Sequence, residues 1–226
     1  MADLFQKVLQ VFDRIGLWED GIELIGSWSF LLYQRHLGVP DAPLRTQDID
    51  FLLPRPYPKR TAVDLEAALS ELGFRMKFTS SGVAQFFHPD LKLEFLMPER
   101  GSGKEEPRTV KSLGIKAVQL RYLDILLDKP VILQEGTVNV RVPKPLNFCL
   151  HKLIIAQRRK NKDKREKDID QALYTLRILE PGEFQKTLDS LPKGWRALIS
   201  KSLKQAWNLF PIHYPILEKF SPTLKL

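Results

Sequence analysis

Hydrophobic residues in the first quarter of the chain switch between helical and strand spacing. A first helix is predicted before Gly16 by apolar residues three or four positions apart, namely Leu4, Val8, Val11, Phe12 and Ile15. A short apolar run over 22–25 indicates a buried strand, and Gly26-Ser27 indicates a tight turn into a helix over 27–37. The next strand is predicted over 48–53, where three closely spaced prolines follow it.

The middle of the chain reads as further strands and turns. The pattern predicts a helix that Gly73 ends, then successive antiparallel strands, and later a hairpin that turns at Glu135-Gly136. Between these strands and the hairpin, a long loop and a short helix are expected. The predicted ranges are 62–72 for the helix, 74–78, 83–87 and 91–96 for the strands, 98–111 for the loop, 120–127 for the short helix, and 131–134 and 138–142 for the hairpin.

After Pro145 the pattern becomes helical, with helices expected over 148–160, 165–179, 184–191 and 195–210. The sequence therefore predicts an α+β fold in which a mixed sheet flanked by helices precedes a helical C-terminal half. The change of pattern near Pro143 divides the chain into a catalytic domain over 1–143 and a basic helical domain over 144–226.

Composition narrows the compartment and the metal chemistry. The chain has 226 residues and a single cysteine, Cys149, which excludes an intramolecular disulfide and indicates a reducing cytoplasm. Its apolar runs are shorter than the roughly 20 residues that cross a bilayer. The four histidines are scattered without the spacing of zinc ligands, so a zinc site is not expected.

The strand over 48–53 carries two acidic residues in alternation with apolar ones. Side chains at positions i and i+2 of a strand share a face, so Asp48 and Asp50 project together while Ile49 and Phe51 enter the core. Two carboxylates so close together repel each other unless a cation lies between them, and magnesium prefers such oxygen ligands. Taken alone, a pair of solvent-facing aspartates is the commoner explanation of this pattern.

Two flanking segments change that balance. Gly26 and Ser27 lie where a strand turns into a helix, and the free N–H groups of a helix N-terminus suit a phosphate. Ser27 fits equally well as an ordinary helix N-cap, because capping and phosphate binding use the same geometry. Downstream, the alternation around Glu94 places that residue on a polar strand face, where it is a candidate third carboxylate.

These segments carry a resemblance to a known family. Gly26-Ser27 followed by Arg45-Thr46-Gln47-Asp48-Ile49-Asp50 resembles the signature of the DNA polymerase β-like nucleotidyltransferase superfamily. The later segments 141–145, His151-Lys152-Leu153 and Lys167-Asp168 are similar to a bacterial nucleotidyltransferase family within it. With the segment 120–124, the likeness spans roughly residues 20–178.

The resemblance implies an enzyme that moves a nucleoside monophosphate from a nucleoside triphosphate (NTP) to an acceptor. It implies that Asp48, Asp50 and Glu94 hold magnesium, with two ions expected, and that phosphate groups contact a second set of residues. That set is Gly26, Ser27, Arg45, Lys152 and Arg159. Without the resemblance, Lys152 would read as a surface lysine whose aliphatic stem packs on its helix.

Charge is divided unevenly along the chain. Residues 1–110 carry 13 Lys and Arg against 16 Asp and Glu, whereas residues 111–226 carry 22 against 11. The segment Lys160–Lys167 is rich in basic residues and interrupts the helical pattern. It is either a solvated inter-helix loop or a segment that contacts the backbone of RNA or a triphosphate. Asp168 and Asp170 fit helix capping or pairing with Lys and Arg better than metal binding.

Three functions remain open from the sequence. The first is an NTP-dependent nucleotidyltransferase acting on an acceptor hydroxyl of RNA or protein. The second is a nucleotide-binding or RNA-binding module without turnover, and the third is a toxin-like regulator that acts on tRNA or protein. The three acidic residues on polar strand faces favour the first. The acceptor, the preferred base and the oligomeric state are left open.

Overall fold

A computed structural model describes residues 2–43, 46–58, 62–100 and 106–224. The chain forms two compact units. Unit 1 comprises residues 1–32 and 44–143, and unit 2 comprises residues 33–43 and 144–226. Along the described residues, no helix is both long and apolar enough to cross a membrane.

Unit 1 is built on a mixed sheet. Its strands are β1 (Glu23–Ile25), β2 (Asp48–Leu52), β3 (Arg75–Phe78), β4 (Ala84–Phe87), β5 (Lys92–Pro98), β6 (Arg108–Val110) and β7 (Ile115–Leu120). The main order is β1-β2-β5-β4-β3, with β2 and β5 parallel and the other neighbours in that order antiparallel. β7 runs parallel to the C-terminal part of β5 and also pairs with β6, while β8 (Val131–Glu135) and β9 (Val138–Val142) form a separate hairpin.

One face of this sheet forms the core of unit 1. The helices of the unit are α1 (Ala2–Arg14), the first part of α2 (Gly26–His36) and α3 (Leu65–Ser70). Phe12 of α1 packs on the sheet with its ring centroid 4.5 Å from Phe51 of β2 and 6.1 Å from Phe95 of β5. All three rings are fully buried, and because strand side chains alternate, the opposite face is left for polar residues.

Unit 2 is helical. It contains α4 (Pro145–Ala156), α5 (Lys162–Leu176), α6 (Pro181–Ser190), α7 (Lys193–Leu209) and α8 (Tyr214–Leu224). Edge-to-face ring pairs join its elements, with Tyr33 5.2 Å from Phe148 and Phe184 5.4 Å from Phe220. Cys149 is fully buried in α4, so its thiol is a packing group.

The mixed α+β fold and the helical second half confirm the sequence prediction, but several element boundaries were wrong. Residues 115–120 form β7 where no element was expected, and residues 120–127 contain only a 3₁₀ turn at Leu123–Ile125 instead of the expected helix. The expected loop over 98–111 contains β6, and α8 was not predicted.

One interpretation of the basic segment Lys160–Lys167, that it is an inter-helix loop, is wrong, because most of the segment is helical. Residues 162–167 form the first turns of α5, because the Asn161 side chain caps the helix by accepting a hydrogen bond from the Lys164 N–H at 2.9 Å. Lys162 and Glu166, four residues apart, add an ion pair at 3.7 Å. A cap and a charge pair therefore start this helix without apolar periodicity.

Candidate active site

Strand β2 presents two carboxylates on the polar face of the sheet. Ile49 and Phe51 are completely buried, whereas Asp48 is exposed and Asp50 is half-buried. The strand predicted over 48–53 is thus confirmed, and its alternation sorts acidic from apolar side chains as expected.

Strand β5 brings a third carboxylate to the same face. Because β2 and β5 are parallel and paired in register, Asp50 lies opposite Glu94 and Asp48 lies opposite Lys92. Residues directly opposite each other on neighbouring strands share a face. On the far side of β5, Gln85 of β4 lies opposite Glu94 and donates a hydrogen bond from Nε2 to Glu94 Oε1.

The glycine turn after β1 lies against Asp50. Ile25 pairs with Asp50, and the next residue, Gly26, begins α2 with a left-handed φ of 69°. A Cβ atom at position 26 would lie 2.7 Å from Asp50 Oδ2, closer than real Cβ contacts. Glycine is therefore required here both by the backbone conformation and by the approach of the carboxylate. Ser27 follows in the first turn of α2 and is 8% exposed.

The ammonium group of Lys92 lies among these acids. Its Nζ is 2.5 Å from Glu94 Oε1 and 3.7 Å from Asp48 Oδ1. Burial alone would lower the pKa of Lys92, but the hydrogen bond to Glu94 and the negative charges of Glu94, Asp48 and Asp50 outweigh burial and raise it. Lys92 is therefore charged and acts as the cation of this cluster.

Within the described ranges, no three carboxylate, imidazole or thiol groups converge into a ready-made metal site. Glu94 is turned towards Lys92 and Gln85 instead. The donors nevertheless fit magnesium chemically, because Asp48, Asp50 and Glu94 supply hard oxygen ligands on one sheet face.

A fourth acid, Glu23 of β1, lies on the same face but is fully buried. It pairs with Leu52, two residues beyond Asp50. Neither carboxylate oxygen of Glu23 has a hydrogen-bond partner among the described residues, and the Nε of Arg141 in β9 is 4.0 Å away. Burial raises the pKa of Glu23 to about 8, and the charge of Arg141 offsets only part of that effect. Glu23 is thus held largely protonated at neutral pH.

Replacing Glu23 by glutamine should flatten the pH dependence of stability. The native state keeps the Glu23 proton up to about pH 8 and the unfolded chain releases it near pH 4.5, so the wild type loses stability as pH rises between those values. The loss approaches about 1.4 kcal/mol per pH unit. Urea unfolding at pH 5 and pH 8 should show the variant gaining up to about 4 kcal/mol on the wild type across this interval.

The matched control for this measurement is Glu66→Gln, which removes a carboxylate from the exposed side of α3. It should follow the wild-type pH profile. If Glu23→Gln follows that profile too, Glu23 is not protonated in the native state.

Unit 2 contains a buried ion pair made by residues from the predicted phosphate-binding set. Lys152 Nζ lies 2.6 Å from Asp168 Oδ1, and Arg159 Nε lies 2.8 Å from Asp168 Oδ2. Burial raises the pKa of Asp168, but Lys152 and Arg159 outweigh burial and lower it. The prediction that Asp168 pairs with Lys and Arg is confirmed. Helix α4 ends at Ala156, so Arg159 reaches Asp168 from beyond the helix rather than from one of its turns.

The structure does not test the phosphate-binding roles of the other predicted residues. The roles of Lys152 and Arg159 at a phosphate stay predictions, and Arg45 lies outside the described residues.

Beside the ion pair, His151 is buried and its Nε2 has no hydrogen-bond partner among the residues described. Burial and the neighbouring charge of Lys152 lower the pKa of His151 to about 3, which keeps the imidazole neutral.

Sequence reasoning did not identify Lys92 or Glu23 as members of this face. The signal for Lys92 was its position two residues before Glu94 in an alternating strand, which places both side chains on one face. The signal for Glu23 was an acid within the otherwise apolar run over 22–25. Neither signal reveals burial or the partner across the sheet, which depend on strand register.

Comparisons with known proteins give one family match and similar solved structures. A family model described as nucleotidyltransferase matches residues 4–193. An antigenic nucleotidyltransferase-like protein from Paracoccidioides brasiliensis is similar in structure, with a TM-score of 0.50 and 14% sequence identity over 97% of this chain and 94% of that one. The antibiotic-resistance factor ANT(2'')-Ia gives a TM-score of 0.44 and 16% identity over 94% of this chain and 96% of that one. A comparison with curated protein sequences gave no match.

Proposed function

The chain belongs to the nucleotidyltransferase family whose model covers residues 4–193, and on this basis we propose that it transfers a nucleoside monophosphate from an NTP to an acceptor hydroxyl in a magnesium-dependent reaction. The observation that carries the proposal is the strand register that sets Glu94 opposite Asp50 on the face shared with Asp48. Membership of the narrower bacterial family remains part of the proposal.

Each acidic residue has a proposed role. Asp48 and Asp50 hold the magnesium ions, and Glu94 completes the ligand set beside Asp50. Magnesium held by these residues would lower the pKa of the acceptor hydroxyl and would stabilise the negative charge of the departing pyrophosphate. Gly26 lets the phosphate chain approach the backbone at the start of α2, where Ser27 and the helix N–H groups donate hydrogen bonds to it.

The reaction forms one bond and breaks one. The acceptor oxygen attacks the α-phosphorus, the bond from that phosphorus to the oxygen bridging the β-phosphorus breaks, and pyrophosphate leaves. The hydroxyl proton passes to Glu94, whose carboxylate lies beside Asp50 on the same face. Phosphate-binding roles for Lys152, Arg159 and Arg45 rest on the resemblance alone, since Lys152 and Arg159 pair with Asp168 within unit 2.

The proposal is tested by incubating the protein with each α-labelled NTP, magnesium and total cellular RNA or protein. A labelled macromolecule that forms with the wild type but not with Asp48→Asn supports the transfer. Label in the RNA fraction identifies RNA as the acceptor class, and label in the protein fraction identifies protein. If every NTP leaves both fractions unlabelled, a nucleotide-binding module without turnover is the better explanation.

We also propose that the acceptor is a polyanion such as RNA. A bound NTP uses only a few cationic side chains, whereas residues 111–226 carry 22 Lys and Arg. At the start of α5 and just before it, Lys160, Lys162 and Lys164 are exposed, and Arg165 is partly exposed. Such a helix end can contact successive phosphates of a nucleic-acid backbone.

Neutralising this helix end should reduce the salt dependence of RNA binding. Replacing Lys160, Lys162, Lys164 and Arg165 together by glutamine should lower the slope of log K against log salt by about 0.7 for each single-strand phosphate that these side chains no longer neutralise. Affinity for NTP should stay unchanged. Fluorescence anisotropy with labelled RNA over a range of salt concentrations measures the slope.

The matched control replaces four exposed lysines elsewhere in unit 2, namely Lys186, Lys193, Lys201 and Lys204. The net-charge change is identical, so equal slopes for the two variants would show that overall charge, and not the start of α5, determines binding. RNA that fails to bind even at low salt would direct the search for an acceptor to proteins or small molecules.

A further inference from the structure

Lys92 contacts the acids that the proposed function assigns to a metal ion. Its ammonium group is 2.5 Å from Glu94 Oε1 and 3.7 Å from Asp48 Oδ1. Asp50 follows Asp48 on the same face of β2 and lies opposite Glu94 of β5. An ammonium group and a divalent cation compete for the same carboxylate oxygens, because both are attracted by their negative charge. The negative charge of this face is therefore neutralised in part by a side chain of the protein itself.

The partial exposure of Lys92 allows its ammonium group to move away from the acids. Its side chain is 26% exposed, and Asp48, at 53%, is the more open of its two partners. In the same position the ammonium also lies 5.7 Å from the ring centroid of Phe87, which pairs with Lys92 across β4 and β5, so a cation–π contact is available to it beside the acids. The flexible stem of lysine lets the ammonium swing from the acids towards solvent without a change in the backbone.

We propose that Lys92 is the resident counterion of the acidic face, holding Asp48 and Glu94 in the metal-free protein and giving them up when a divalent metal ion binds. This inference rests on the proposed function, since it concerns the same three carboxylates. Lys92 is then a positioning residue that keeps the acids together before the metal arrives and weakens the affinity of the empty site for free metal.

Removing the charge of Lys92 should strengthen metal binding. Lys92→Met leaves the three carboxylates without their counterion, so Mn²⁺, which takes the same oxygen ligands as Mg²⁺, should bind at least about tenfold more tightly than to the wild type at equal ionic strength. Lys92→Gln, which keeps a hydrogen-bond donor for Glu94 but no charge, should behave alike and serves if Lys92→Met does not fold. Electron paramagnetic resonance of free Mn²⁺ measures the affinity without any turnover.

The matched control is Lys77→Met. Lys77 Nζ lies 5.2 Å from the same Phe87 ring, but Lys77 belongs to β3, which is separated from β5 and Glu94 by β4. This variant therefore removes the same charge near the same aromatic side chain, two strands away from Glu94. Its Mn²⁺ affinity should stay within about twofold of the wild type. A change equal to that of Lys92→Met would overturn the proposal, because general charge would then explain the effect.

Thermal unfolding separates a counterion from a purely structural lysine. Without metal, Lys92→Met should unfold at a lower temperature than the wild type, because like charges face each other, and Mn²⁺ should abolish that difference. If the difference in unfolding temperature between Lys92→Met and the wild type persists in saturating Mn²⁺, the metal ion does not replace Lys92 and the proposal is overturned.

Two further outcomes distinguish this inference from the proposed function. Unchanged Mn²⁺ affinity in Lys92→Met and Lys92→Gln, with binding still abolished in Asp50→Asn, overturns the role of Lys92 and leaves the metal site standing. Absence of Mn²⁺ binding in every variant, with NTP present, overturns both.

Discussion

Replacing Asp50 by asparagine is expected to reduce nucleotidyl transfer by roughly 10²–10³-fold or more, the range that follows loss of one group that stabilises transition-state charge. Asp50 is the central acid of the face, between Asp48 along β2 and Glu94 across the sheet, and it touches the Gly26 turn. Asparagine keeps the shape of the side chain but removes the negative charge to which, in the proposed function, magnesium would bind. Transfer rates under saturating NTP and magnesium measure the loss.

The control for Asp50 is Asp13→Asn, which removes an exposed carboxylate of α1 far along the chain from the polar sheet face. Its transfer rate should equal that of the wild type. Circular dichroism should show both variants folded, because Lys92 still pairs with Glu94 when Asp50 is neutral. Full activity of folded Asp50→Asn would remove the acidic face from the mechanism.

Replacing Asp168 by asparagine should destabilise the protein by about 3–5 kcal/mol, the usual cost of breaking a buried ion pair. The Lys152 side chain is 6% exposed and that of Asp168 is 4% exposed, so the variant leaves a cation in the interior of unit 2 without its counterion. Arg159, which is 43% exposed, can turn to solvent and contributes less. The midpoint of urea unfolding measures the change.

A double variant tests the explanation of that loss. Lys152→Met with Asp168→Leu removes both charges together and should recover most of the stability, since no unpaired charge remains. Asp189→Asn, in an exposed pair 4.0 Å from Arg196, is the control and should change stability by no more than about 0.5 kcal/mol. If Asp168→Asn matches this control, the ion pair does not contribute to the native state in solution.

The sequence was informative where a local pattern had one structural solution. The alternation at Asp48-Ile49-Asp50-Phe51 permits only a strand with its acids on one face, and the structure has that strand. The helix after Gly26 and the hairpin that turns at Gly136 were likewise expected from their glycines, and the structure places both glycines in the left-handed backbone conformation.

Prediction failed where stability comes from pairing that the local pattern does not show. Strand β7 at Ile115–Leu120 has no strict alternation of polar and apolar residues and depends on β5 and β6 on its two sides, so its own residues gave a weak signal. The start of α5 carries charges in place of an apolar stripe and is fixed by the Asn161 cap.

The composition of the acidic face was only partly predictable for a related reason. Asp48 and Asp50 belong to one strand, but the position of Glu94 opposite Asp50 follows from a parallel pairing across more than 40 residues. The same pairing sets Lys92 beside Asp48, so a lysine that reads as one polar position of a strand becomes the counterion of the cluster.

The central claim is that this face supports transfer of a nucleoside monophosphate, and the fate of the phosphate label tests it most directly. The protein is incubated with magnesium, cellular RNA and protein, and the same NTP labelled either at the α- or at the γ-phosphorus. We predict that the α label becomes covalently attached to a macromolecule, that the γ label is released as pyrophosphate in equal amount, and that Asp50→Asn does neither. Attachment of the γ label, or attachment of the α label by Asp50→Asn at the wild-type rate, would contradict the account.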